Sequence, residues 1–187
     1  MKKIMSILLL IFSINTYGQK LGETIPKNKT KLEQFSAKTG VVIIRGFREV
    51  GVIKGLYRTT LTVEVKEFLN VTDDAKQYGI TIETFKENGN YDKEHTSFID
   101  YDEIESLLKG IQYISKIDGS TTKLDSFQAD YTTKGDLKIS VFSSDKDIIA
   151  AVTSGTIGGV ATYLKLEDIP KLVELINKAK QTIEEIK

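Results

Sequence analysis

Phe98–Ile117 reads FIDYDEIESLLKGIQYISKI, and its apolar positions decide the fold. Ile104, Leu107, Leu108, Ile111 and Ile114 recur at the i, i+3, i+4, i+7, i+10 spacing that lines one face of a helix. An extended lead, Phe98-Ile99, precedes them. The pattern returns from Tyr163 onward: Ile169, Leu172, Val173, Ile176 and Ala179 repeat it at a constant offset of 65 residues (169 − 104). Tyr163-Leu164 stands where Phe98-Ile99 stood, and the acidic pair Glu167-Asp168 matches Asp102-Glu103. Two amphipathic helices, each fed by a strand, are predicted, and the shared offset suggests an internal duplication.

Working outward, Val41–Phe47, Val50–Leu56 and Tyr57–Phe68 are dense in β-branched and aromatic residues and read as strands. From Tyr57 to Lys66, apolar and polar residues alternate, the pattern of an antiparallel sheet with one face buried. Tyr78–Lys86 and Thr96–Tyr101 are further strands, joined through a turn at Asn88-Gly89. After Asp118-Gly119 the plan restarts, with strands over Phe127–Thr133, Leu137–Ser143, Ile148–Thr153 and Gly159–Leu166, then a helix from Glu167 to Ile186. Phe142 falls on the polar side of its strand. Strand registers do not align at an offset of 65; only the strand-to-helix ends do. The expected fold is α+β: mainly antiparallel sheet built from two strand-meander-plus-helix units, 41–118 and 119–187, with two principal helices packed on the sheet. Thr30 is placed to cap a short helix running to Lys38, with Gly40 as its stop.

The N-terminus predicts export. Lys2 and Lys3 precede an apolar run from Ile4 to Ile14, and Thr16 and Gly18 supply small residues before Gln19, so residues 1–18 read as a cleaved signal peptide. Residues 19–40 are a lead-in with the short helix, and 41–187 form a single domain. The expected location is periplasmic or extracellular. Cysteine is absent, which excludes disulfides, thiol nucleophiles, zinc thiolates and a lipid-anchoring cysteine. Lys and Arg number 26 against 26 Asp and Glu. Such a balance offers no global attraction for phosphate backbones or anionic lipids.

Several residues are candidates for chemistry. Arg45, Arg48 and Arg58 are all the arginines of the chain and lie within fourteen residues. Their planar forks suit an anionic ligand or an acidic partner if neighbouring strands gather them; pairing with Glu49, Glu64 and Glu67 on a solvated face is the alternative. His95 sits near Asp92 and Glu94 and reads as an exposed hairpin histidine. Asp100, Asp102, Glu103 and Glu105 have capping-box spacing at a helix start and no calcium-loop pattern. Ser154–Gly159 is glycine-rich but flanked by strands, and reads as a hairpin loop rather than a phosphate cradle. Asn28-Lys29-Thr30 and Asn70-Val71-Thr72 fit the N-glycosylation pattern. No catalytic residue, metal site or cofactor is assigned.

The repeated strand-meander-plus-helix plan resembles the duplicated fold of the PUR and Whirly families, over roughly Val41 to Ile186 and at the level of topology, without a shared residue motif. That resemblance implies single-stranded nucleic acid binding across the sheets. The leader with Tyr17-Gly18-Gln19 at its junction and the cysteine-free, lysine-rich body also resemble exported proteins of Gram-negative bacteria, which implies a compartment and no activity. The expected function is a non-catalytic binding or protein-interaction module for an unknown protein or small-molecule partner. It would use a sheet face, an edge strand or the cleft between the helices, with no nucleic acid partner and no membrane span once the leader is removed. An exported hydrolase with carboxylates assembled only in three dimensions is the alternative from another class.

Overall fold

A computed structural model describes residues 29–89, 91–144 and 147–187. The expected leader lies outside the described residues, as does most of the lead-in. The short helix α1 (Lys31–Ser36) comes first. Strands β1 (Ile43–Lys54), β2 (Thr59–Asn70), β3 (Lys76–Lys86) and β4 (Lys93–Asp100) form one antiparallel meander in the order β1-β2-β3-β4. A 3-10 turn at Tyr101–Glu103 then feeds α2 (Ile104–Ile114). The second unit repeats the order: β5 (Gln128–Thr132), β6 (Leu137–Ser144), β7 (Asp147–Ser154) and β8 (Val160–Lys165), a 3-10 turn at Leu166–Asp168, and α3 (Ile169–Ile186). The chain is therefore α+β, with two strand-meander-plus-helix units.

One expected boundary moves. Val41–Phe47 and Val50–Leu56 are not two strands but the single strand β1, whose register with β2 slips between Glu49 and Gly51. Arg48 and Glu49 interrupt the apolar alternation without ending the strand. β1 is an edge, so both its faces are partly wet, and the extra residue, Val50, is taken up as a bulge.

Pairing explains why the units do not align at one offset. Val65 faces Ile80, which faces Ile99; Val141 faces Ala150, which faces Leu164. Equivalent positions thus stand 76 (141 − 65), 70 (150 − 80) and 65 (164 − 99) residues apart. The offset shrinks because the hairpins of the first unit are longer.

The helices change places. α3, which follows the second sheet, lies under β1, β2 and β3 of the first. Its Leu175 fills the space beside Gly51, where a Cβ would come within 2.7 Å of Leu175 Cδ2. At its far end the Tyr78 hydroxyl donates to the Ile186 carbonyl at 3.5 Å. α2, which follows the first sheet, lies on β5 and β6, with Gly110 against the Tyr131 ring. Neither unit closes its own core. Leu61, Val63, Ile80, Ile82 and Ile99 join Ile139, Val141 and Leu164 in one apolar cluster with Leu107, Ile111, Leu172 and Ile176.

Where the sheets meet, side-chain hydroxyls donate to main-chain carbonyls across the seam. Thr84 Oγ1 donates to Val160 O (2.8 Å), Ser154 Oγ to Ile82 O (2.8 Å) and Thr162 Oγ1 to Thr60 O (2.7 Å). The Leu56 amide adds a main-chain bond to Tyr163 O at 2.7 Å.

α1 belongs to this body rather than to a separate lead-in. It starts with the expected Thr30 cap, completed by Glu33 as a capping box, but ends at Ser36, short of Lys38. Leu32 and Phe35 pack on Phe68, covering one end of the outer face of the first sheet.

Candidate functional site

The acidic run before α2 does not cap it, contrary to expectation: neither Asp100 nor Glu103 makes a side-chain cap bond there. The preceding 3-10 turn consumes the first amides, and each carboxylate finds a partner far away in sequence. Asp100 accepts from the amides of Lys31 (2.7 Å) and Leu32 (3.0 Å), so it caps α1. Asp102 accepts from Lys31 Nζ at 2.6 Å, a bond that holds its carboxyl below the ordinary range. Glu103 accepts from the Lys134 amide at 2.7 Å, while its Oε2 is buried without a hydrogen-bond partner among the described residues. Burial pushes the Glu103 carboxyl above its usual range. Glu105 pairs with Lys180 across the α2–α3 contact and is held low by that hydrogen bond. These four carboxylates diverge and make no common site.

The arginines are not gathered either. Arg45 and Arg48 sit on opposite faces of β1, opposite Phe68 and Val65, while Arg58 lies in the β1–β2 turn. Arg45 and Arg58 are separated by about ten strand residues, roughly 30 Å. Arg45 donates to Ser36 Oγ (2.8 Å) and O (3.2 Å) beside the Phe68 ring. None of the three forms an ion pair with a described residue.

His95 is not at an exposed hairpin tip. It lies half-buried in β4, its ring packed against Gly155, and its Nδ1 is buried with no hydrogen-bond partner among the described residues. The glycine run is the β7–β8 loop, as expected, with Gly155 and Gly158 at φ 79° and 71°. Gly155 is needed twice: its backbone is left-handed, and a Cβ would strike the imidazole. Phe142 is on the outer face of the second sheet, between Gln128 and Ile149. Among the described residues, no three His, Cys, Asp or Glu side chains are grouped to hold a metal, and no helix is long and apolar enough to cross a membrane.

A concave feature with an apolar wall is the groove between α2 and α3, about 680 Å³. Leu108 and Val173 line it, together with Ile169 and Pro170, and Gln112 and Asn177 stand among its polar residues. Leu108 and Val173 hold the same place in the two helical patterns (173 − 108 = 65), as do Gln112 and Asn177 (177 − 112 = 65). Both apolar side chains belong to the stripe that buries Leu107 and Leu172, yet each lies at its margin and is only partly covered. The groove is thus roughly two-fold symmetric, with an aliphatic and an amide contributed by each helix. The pair Glu105–Lys180 ties the two helices together, supported by Lys180–Glu184 at 3.4 Å and by the Tyr101 hydroxyl donating to Glu184 at 3.2 Å. The helical spacing places Leu108 and Val173 with the core; in the fold each is only partly covered, which periodicity does not report.

Comparison of the chain with protein-family models, with characterised proteins and with solved structures finds no match in any of the three.

Proposed function

We propose that this protein is an exported, non-catalytic binding module whose α2–α3 groove receives an apolar segment of a protein partner. The observation that carries the reading is the groove itself: partly covered Leu108 and Val173 stand on its two sides, with the Gln112 amide and the Asn177 Oδ1 beside them to meet a peptide backbone, the Asn177 Nδ2 donating to the Val173 carbonyl at 2.9 Å. Its volume falls within the range of small-ligand and side-chain pockets. The equivalent positions supplied by the two helices support an origin by duplication. Export rests on the sequence of residues 1–18.

A hydrolase finds less support. Glu83 and Glu103, the carboxylates held above their usual range by burial, do not line the groove. Nucleic acid binding, implied by the likeness to PUR and Whirly proteins, needs a cationic track beside aromatic platforms. On the outer face of the first sheet, Arg45, Lys54 and Lys66 are interleaved with Glu49, Glu64, Glu83 and Glu94.

The test is selection of short displayed peptides against the purified protein, followed by amide chemical-shift mapping. Selected peptides carrying apolar side chains are expected to shift Leu108, Gln112, Val173 and Asn177. L108E and V173E should abolish binding while leaving the far-UV spectrum unchanged. Peptides that bind the variants as well as the wild type, or shifts centred elsewhere, refute the proposal.

A further inference from the structure

β1 is an outermost strand, and among the described residues no strand pairs with the other side of its twelve-residue backbone. Long free edges invite another strand, and charges, bulges or covering segments usually guard them. β1 has charges and a bulge, yet Phe47 and Ile44 on it are 71% and 53% exposed. Arg45, Phe47 and Glu49 point to the outer face, Gly46 and Arg48 to the inner, as their partners on β2 show.

The order of these side chains complements itself. Facing residues in an antiparallel pair share a face of the sheet. A copy related by a two-fold axis normal to the sheet must therefore be centred on a residue, not between two. Centring on Arg45, Arg48 or Glu49 sets that charge against its own copy. Centring on Gly46 puts Arg48 against Ile44 and Glu49 against Ile43, with no ion pair. Centring on Phe47 sets Arg45 opposite Glu49 twice, Ile44 opposite Val50 twice, Arg48 opposite the open space of Gly46 twice, and Phe47 opposite itself.

We infer that β1 pairs with β1 of a second copy of this chain, antiparallel and centred on Phe47, joining two four-stranded sheets into one of eight strands through an isologous interface. The bulge at Val50 ends the regular ladder on both sides and so opposes slippage. Arg45 exchanges its exposed bonds to Ser36 for the partner's Glu49. A foreign strand would have no reason to match this order of charge.

Sedimentation equilibrium of the purified protein from micromolar to millimolar concentration tests it. The wild type is expected to be a dimer, and R45E and F47D monomers. The double variant R45E/E49R is expected to regain the dimer, because the exchanged charges still face one another only in the Phe47 register. Far-UV spectra and melting curves of the variants control for folding, all three sites being exposed. A monomeric wild type, a dimer that persists in R45E, or a double variant that stays monomeric overturns the inference.

Discussion

Leu172→Ala tests the exchange of helices. Leu172 is fully buried in α3, inside the core shared by both sheets. Removing its branch leaves a void in a close-packed cluster, since α3 is held against β1, β2 and β3. The expected loss is about 3 kcal/mol, within the range for buried leucine truncations. With a urea dependence of about 2 kcal/mol per molar, the unfolding midpoint should fall by about 1.5 M. Location is the sharper measurement. Because α3 covers the first sheet, amide and methyl shifts should change at Val63, Val65 and Ile80, and change little at Ala129 or Tyr131 on β5. Shifts concentrated in β5 and β6, or a midpoint that hardly moves, would refute the arrangement of helices described here.

Asp100→Ala removes the carboxylate that holds the Lys31 and Leu32 amides, leaving the Thr30–Glu33 capping box, and should cost about 1–3 kcal/mol, with lost hydrogen-exchange protection at Lys31 and Leu32 as the local readout. Glu103→Gln probes the carboxylate raised by burial: such a group stabilises the fold below its unfolded pKa and loses that contribution as pH rises through the folded value. The stability of the wild type relative to E103Q should therefore fall as pH rises above about 4.5, the reverse of the trend for Asp102, whose lowered carboxyl stabilises above its unfolded pKa and loses that effect in acid. Urea midpoints measured against pH for both proteins decide the sign. Gly135→Ala should destabilise by about 1–3 kcal/mol, since a Cβ there meets the Phe98 carbonyl, a backbone atom with no rotamer to escape into; an unchanged melting temperature would count against so close an approach. Thr162→Val removes the hydroxyl bond to the Thr60 carbonyl between the sheets and should cost about 1 kcal/mol, read by thermal unfolding.

What the sequence determined by itself was the local pattern. The stripe from Ile104 to Ile114, its echo from Ile169, and the alternation from Thr59 to Val65 specified helices and strands, because the face a residue occupies depends only on backbone period. Thr30 was legible as a cap from its place before Leu32 and Phe35, and the structure adds Glu33 as its capping-box partner. The four strands of the second unit were legible for the same reason, whereas β1 was split at Arg48-Glu49 because an edge strand tolerates charge that a central one does not. Tertiary structure decided what each buried face meets. Nothing in the spacing of Leu107 or Leu172 says that each helix packs on the sheet of the other unit. The carboxylates before α2 were assigned to the nearest helix start, but their donors lie 31 to 75 residues away, at Lys31, Lys134 and Lys180. A capping-box spacing states what a carboxylate can reach along the chain, and folding brought nearer donors across it. A cleft between the helices is an expectation of the sequence, but its lining is not: Leu108 and Val173 carry the same apolar signal as the core, and only the fold leaves them partly uncovered.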